Sequence, residues 1–256
     1  MAGNNFEAKK VFFLYPHSVI QQELVEQLIS NEYEVYLIRD HKRLRKILHD
    51  FHNPIVFINV DENLEKEEWK EYVSEIIKAE DNNAQIGILT YNEDQRLAQY
   101  YLMELMVPCG FIKLKLGLQQ SKAIILKTLE ANEAKGRRRY LRIVCWDMPS
   151  TEFNVKIEGV IYNGKIKDIS SVGMAIIFNE NIVLKKHTLV SDIQLKLKGK
   201  IARVSGPVLG TRIVPEGTVH VIIFDRKTDF NTRDRIHNFV YEALQEQIAM
   251  KLSAAV

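Results

Sequence analysis

The 256 residues are 46% hydrophobic and 27% charged, enough for a core larger than one domain of usual size requires, so two domains are expected. Thirty-five Lys and Arg against 33 Asp and Glu leave a formal charge of +2, which excludes a whole-protein field drawing the chain onto DNA or an anionic membrane. Two cysteines, Cys109 and Cys145, exclude a disulfide scaffold or a four-thiolate zinc site, and the apolar run "VFFLYPHSVI" is too short and too broken by Pro16 and His17 to be a signal peptide or membrane span; a cytoplasmic protein with no membrane insertion is expected.

From Lys9 to about Lys135, apolar runs of strand length alternate five times with stretches of helical period, the pattern of a parallel sheet. The expected strands are "VFFLY" (11 to 15), "YEVYLI" (33 to 38), "PIVFINV" (54 to 60), "AQIGILT" (84 to 90) and "GFIKLKL" (110 to 116). Between them "IQQELVEQLIS", "HKRLRKILHDF", "LEKEEWKEYVSEIIKAE" and "EDQRLAQYYLMELM" carry apolar residues at three- and four-residue spacing, such as Trp69, Val73, Ile76 and Ile77. A last helix, "LQQSKAIILKTLEANEAK", follows the fifth strand. This pattern resembles the receiver domain of bacterial two-component signalling, a flavodoxin-like doubly wound fold with its active site at the carboxyl ends of the strands. Where receivers carry an acidic pair after the first strand, this chain has Tyr15, Pro16, His17 and Ser18. At the end of the third strand the best-aligned position is Asn59, with Asp61 two residues further on, while Thr90 and Lys115 match the family's hydroxyl and lysine positions. Without carboxylates to hold a metal, phosphoryl transfer loses the cation that neutralises developing charge. The expectation is a receiver-like domain over residues 1–134 that is not phosphorylated, with Asp61 the one residue able to overturn it.

After Arg142, Val, Ile, Thr and Gly dominate and short runs recur between turn signals. "FNVKIEGVIYN", "GKIKDIS", "GMAIIF", "DIQLKLKGKIARVSG" and "TVHVIIFD" read as strands of a small antiparallel β-barrel. From Thr232 a C-terminal helix places Ile236, Phe239, Val240, Ala243, Leu244, Ile248 and Leu252 on one stripe, expected to be buried on its own barrel.

Two short segments carry the chemistry. "GRRRYLR" (136 to 142) taken alone is an ordinary basic linker. As a site, Arg138 and Arg142 at i, i+4 can present two planar, permanently charged guanidinium forks to one dianionic ligand, with Arg137 or Arg139 adding a third. "DISSVG" (168 to 173) taken alone is a turn in which Gly173 supplies a position with φ > 0. Order and context separate them from background: RxxxR stands just before the first barrel strand, and DxSxxG at the junction of the second and third. In that arrangement the chain from about Arg137 to the C-terminal helix resembles the PilZ domain, the bacterial receptor module for cyclic di-GMP, and no motif position departs from the family's pattern. The resemblance implies that Arg138 and Arg142 bind the ligand's phosphates and guanine faces. It further implies that Asp168 and Ser170 recognise guanine edges, that Gly173 lets the backbone approach, and that Arg137 influences whether one molecule or a stacked pair is held. A PilZ domain over residues 135–256 would include the RxxxR linker, which folds around the ligand and changes how the two domains sit, an output read by a protein partner in motility, adhesion or related behaviour.

No catalytic constellation stands out. His49 and His52 at i, i+3 lack a third metal ligand, His187 and His220 fall in strand-rich sequence as structural residues, and Ser18, Ser170 and Ser171 have no nucleophile-elbow context. The GGDEF and EAL signatures of enzymes that make or degrade cyclic di-GMP do not occur. The chain is therefore expected to be no enzyme, to use no cofactor or metal, and to bind no nucleic acid polymer. Tyr100, Tyr101, Met103 and Met106 in "YYLMELMVP" are, by resemblance to receivers, the expected surface for a protein partner. Three rival readings stand beside the receptor: an adaptor that binds no nucleotide, a phosphorylation-dependent regulator using Asp61, and a nucleic-acid binder using Arg137 to Arg142.

Overall fold

A computed structural model of the chain describes residues 8–18, 20–80, 82–136 and 139–255. It divides into two units, Met1–Arg139 with Gln245–Val256, and Tyr140–Leu244.

In the first unit, apolar runs with both faces covered form a parallel sheet, as expected of strands flanked by helices on each side. The strands are β1 (Val11–Leu14), β2 (Val35–Ile38), β3 (Ile55–Asn59), β4 (Gln85–Thr90) and β5 (Phe111–Lys113). Their order is β2-β1-β3-β4-β5, the flavodoxin-like arrangement that the alternating sequence implies. Val11 pairs with both Val35 and Ile55, and Phe13 stacks on Phe57 at 5.2 Å, so every residue of β1 is buried. The connections hold α1 (Glu26–Ser30, preceded by a π-helical turn Ile20–Val25), α2 (His41–Ile47), α3 (Lys66–Lys78), α4 (Gln95–Gln99) and α5 (Leu118–Ala131). α3 begins at a reciprocal cap, in which the Glu65 N–H donates to Glu68 Oε2 at 2.8 Å. The fifth strand is shorter than its apolar run: after Lys113 the chain tightens into a 3₁₀ turn, Leu114–Leu116, that ends at Gly117 with φ of 93°.

In the second unit, β6 (Ile143–Val144), β7 (Thr151–Ile157), β8 (Val160–Ser170), β9 (Gly173–Phe178), β10 (Leu189–Leu197), β11 (Lys200–Val214) and β12 (Gly217–Ile223) pair antiparallel. β8-β7-β10-β11-β12-β9 close into a six-stranded barrel through the pairing of β8 with β9, and β6 adds to the side of β8. Two tight hairpins fix register: Glu158-Gly159 and Lys198-Gly199 each have positive φ at both turn residues, the geometry whose twist matches paired strands. The interior is filled by Phe153, Val155, Ile166, Ile169, Met174, Ile176, Leu195, Val204 and Ile222, all at most 2% exposed.

The C-terminal helix α6 (Phe230–Ala254) starts where the Asp229 carboxylate accepts from the Thr232 N–H at 2.9 Å and from its hydroxyl at 2.7 Å. The expected stripe is buried from Ile236 to Ile248, but its use differs from the expectation of a barrel cover alone, because residues from Gln245 belong to the first unit. The Gln245 side chain there acts as a strand substitute on the open edge of β2: its Nε2 donates to the Val35 carbonyl at 2.6 Å and its Oε1 accepts from the Leu37 N–H at 3.3 Å. One turn and a half later Lys251 pairs with Asp50 at 2.9 Å and stands 4.7 Å from the Phe51 ring centroid. Among the described residues no helix is long and apolar enough to cross a membrane.

Candidate functional site

Antiparallel register brings Arg142, the last residue of the first motif, to the DxSxxG segment at one end of the barrel. β6 pairs with the end of β8, Ile143 opposite Ile169 and Val144 opposite Asp168, which brings the residue just before β6, Arg142, beside the first motif residue of the other segment. The shortest recorded approach of the Arg142 guanidinium to the Asp168 carboxylate is Nη1 to Oδ1 at 3.8 Å. Half of the Arg142 side chain is exposed, so this pair is a loose, solvated one that an anion can open.

A bulge explains why Asp168 faces outward. Ile166 pairs with Ile176 and Asp168 with Ala175, so Lys167 is an extra residue in β8. Simple alternation would send Asp168 to the barrel interior with Ile166. The inserted residue resets the pleat, leaving Lys165, Lys167 and Asp168 outside and returning Ile169 to the core. Ser170 lies deeper: it is buried, its Oγ donates to the Gly173 carbonyl at 3.1 Å and accepts from the Val172 N–H at 3.4 Å, and it thereby fixes the turn between β8 and β9. Gly173 does not adopt the left-handed backbone conformation that the turn reading expects. The absence of a Cβ is required for space instead, since a Cβ would stand 2.7 Å from the Ile222 carbonyl oxygen on β12. Arg137 and Arg138 lie outside the described residues. Beneath the site Cys145 is buried, and burial, followed by the nearby Asp168 charge, pushes its thiol up to about 12, so it is a packing residue in its thiol form.

The carboxyl end of the parallel sheet holds a second polar cluster. Asn59 donates to the Tyr15 carbonyl at 2.8 Å and accepts from the Asp61 N–H at 3.1 Å. Both oxygens of Asp61 are engaged, one by the buried Thr90 hydroxyl at 2.5 Å and the other by the Tyr91 N–H at 2.6 Å, with His17 Nε2 3.6 Å away. Lys115, one residue into the 3₁₀ turn that replaces the end of the expected strand, pairs with Glu93 at 3.1 Å. At the position of a receiver's acidic pair, Tyr15 takes φ of 51° and its hydroxyl meets His41 Nδ1 at 3.0 Å, at the edge of an aromatic cluster with Trp69 and Tyr72. Burial lowers the His41 pKa, keeping its ring neutral.

Elsewhere His220 is fully buried inside the barrel, its Nε2 accepting from the Leu184 N–H at 3.0 Å, with its pKa lowered first by burial. His49 pairs with Asp50 at 3.0 Å, and among the described residues no group of three His, Cys, Asp or Glu is placed to hold a metal. Met103 and Met106 project into solvent at 73% exposure and Leu102 beside them is exposed too, whereas Tyr101 is buried and Tyr100 half-buried, so of the expected partner surface the methionines are the most open part. Sequence reading passed over Trp146, Lys165 and Lys167, which come together on the barrel face that also carries Asp168; the available signal was an indole four residues after Arg142 and a Lys-x-Lys pair just before the DxSxxG segment.

No protein-family model matches the sequence, and no curated protein matches it. Among solved structures, the chain is similar over 46% of its length to the PilZ domain with c-di-GMP of YcgR from Escherichia coli, covering 98% of that chain at 14% identity and a TM-score of 0.37. It is also similar to the MrkH–c-di-GMP complex of K. pneumonia (19% identity, TM-score 0.40, 46% of this chain) and to the Bacillus subtilis inhibitor of motility MotI/DgrA (11% identity, TM-score 0.37, 44% of this chain). The match spans 57% and 52% of those two chains.

Proposed function

We propose that the protein is a cyclic di-GMP receptor whose ligand site is built by Arg137, Arg138 and Arg142 with Asp168, Ser170 and Gly173. The observation that carries this reading is the outward-facing Asp168 beside Arg142, which the β8 bulge and the β6–β8 register bring together from segments 26 residues apart. A carboxylate accepts from the N1 and exocyclic amino donors of guanine, and guanidinium forks donate to phosphate oxygens and stack on a base, so the pair offers both halves of the recognition chemistry. A buried Ser170 holding the turn supports a rigid placement of Asp168 more than direct ligand contact. Binding at the arginine segment is read out as a change in the arrangement of the two units, sensed by a protein partner in the cytoplasm, in motility or adhesion. No enzymatic step belongs to this reading. Engagement of both Asp61 oxygens by Thr90 and Tyr91 favours a ligand-driven output over a phosphorylation-driven one.

Isothermal titration calorimetry with cyclic di-GMP, run beside GTP and cyclic di-AMP, tests the proposal. Selective, saturable binding is expected, reduced at least about tenfold by Arg142→Ala or Asp168→Ala, in keeping with loss of a charge-assisted contact. Folded, ligand-free protein that binds none of the three would shift the reading to the nucleotide-free adaptor, and a steep salt dependence on DNA or RNA without dinucleotide preference would shift it to the nucleic-acid binder.

A further inference from the structure

Beyond the motif residues, the outer face of the barrel next to Asp168 has a second ordered arrangement. Strand register aligns two rows across β8, β9, β12 and β11: Lys165, Ile177, Val219 and Arg212 in one, and Asp168, Ala175, Val221 and Gly210 in the next. The half-buried indole of Trp146 packs on the patch of Ala175, Ile177 and Val219. The Lys165 and Lys167 ammonium groups stand 5.6 and 5.4 Å from its ring centroid. In the Asp168 row Ala175 is buried beneath its neighbours, while a Cβ built on Gly210 meets nothing within 4 Å, so there is room at the Gly210 end of the row. The two rows carry the cations of Lys165 and Arg212, with Lys167 and Arg142 alongside, against the carboxylate of Asp168. An aromatic floor ringed by cations, with a carboxylate at one edge, matches a ligand that is flat, anionic and rich in hydrogen-bond donors at the same time.

We propose that Trp146, Lys165 and Lys167 form the second half of the ligand site, a stacking floor for one guanine and two cations for the phosphodiesters; the inference rests on the receptor reading above. Ammonium-to-indole contacts at a solvated surface are weak and readily exchanged. On binding, a guanine takes the ring face and the two ammonium groups turn to the phosphate oxygens, where their charge is better matched. The chain contains two tryptophans, of which Trp69 is fully buried, so Trp69→Phe leaves Trp146 as the single emitter.

In that background, cyclic di-GMP is expected to quench Trp146 emission with the same midpoint that calorimetry gives. Calorimetry on the otherwise unaltered chain supplies the second arm and does not depend on replacing Trp69. Trp146→Ala is expected to weaken binding by about 10- to 100-fold, the usual range for loss of one base–aromatic stack, while Trp146→Phe stays within about fivefold because it keeps a ring. Lys165→Gln with Lys167→Gln is expected to weaken binding and flatten its salt dependence. Wild-type affinity in Trp146→Ala and in the double lysine variant, with Arg142→Ala still disrupting binding, would overturn the floor and leave the receptor reading intact. Absence of binding in the folded wild-type chain would overturn the receptor reading, and the floor with it.

Discussion

Gly173 and Ser170 show how two motif positions act through the backbone. The Ser170 hydroxyl ties the β8–β9 turn from inside, and Gly173 starts β9 so close to β12 that a methyl group would meet the Ile222 carbonyl at 2.7 Å. The atom in the way is backbone, which cannot rotate aside, so relief requires β9 and β12 to separate. Gly173→Ala is therefore expected to lower stability by about 1–3 kcal/mol, the usual cost of overpacking, seen in urea unfolding as a lower midpoint at unchanged slope. A variant as stable as the wild type would mean that the strands have slack and that the need for glycine at 173 does not come from packing. The same substitution read by calorimetry separates the two roles, since stability can be checked before affinity is compared.

At the scale of elements, the start of α6 depends on one carboxylate. Asp229 accepts from both the hydroxyl and the N–H of Thr232, and these bonds, the hydroxyl first, hold its pKa below the ordinary 3.8. A depressed folded-state pKa contributes stability above the unfolded value and loses it as pH falls through the folded value. Asp229→Ala is accordingly expected to melt at lower temperature than the wild type at pH 7, with the gap closing as pH is brought below 3.8; a gap that persists in acid would assign the effect to something other than the charged cap. The cap was not singled out in the sequence, although an Asp just before an apolar run of helical period, as Asp229 is, is a common start signal. Other elements were legible to different degrees for physical reasons. The parallel sheet could be read because strands buried on both faces, such as "VFFL", are continuous apolar runs, and the α6 stripe because its period is helical. The destination of the last turns of α6 could not, since Gln245 meets Val35 and Leu37 across more than 200 residues of sequence. The site was half legible: RxxxR and DxSxxG stand in the sequence as motifs, but the outward turn of Asp168 depends on a bulge at Lys167, and a bulge leaves no period to detect. The setting of Trp146 was illegible for a related reason, because the patch of Ala175, Ile177 and Val219 under it exists only after β9 and β12 have paired in register.

For the whole molecule, ligand binding and its transmission are separable events. A ligand that binds only the folded state adds about 2.7 kcal/mol of stability at a concentration 100 times its dissociation constant. With two units in the chain that gain need not spread to both, and a single melting temperature does not report where it falls. Hydrogen exchange resolves it by segment. Cyclic di-GMP is expected to protect residues 142–146 and 165–175, where β6, the bulged part of β8 and the start of β9 carry the proposed site. Transmission makes a further demand: a ligand shifts an arrangement only by its differential affinity for the two states, so some contact remote from the site must be remade. α6 supplies turns to both units, and within the first its Gln245 closes the edge of β2 through Val35 and Leu37 while Lys251 holds Asp50. The expected second signature is thus altered exchange at Val35–Ile38 and in residues 245–254, lost in Arg142→Ala together with binding. Protection confined to residues 142–175, with the β2 edge unchanged at saturating ligand, would establish a binding module and remove the rearrangement from its mechanism, leaving the occupied barrel face itself as the surface a partner reads.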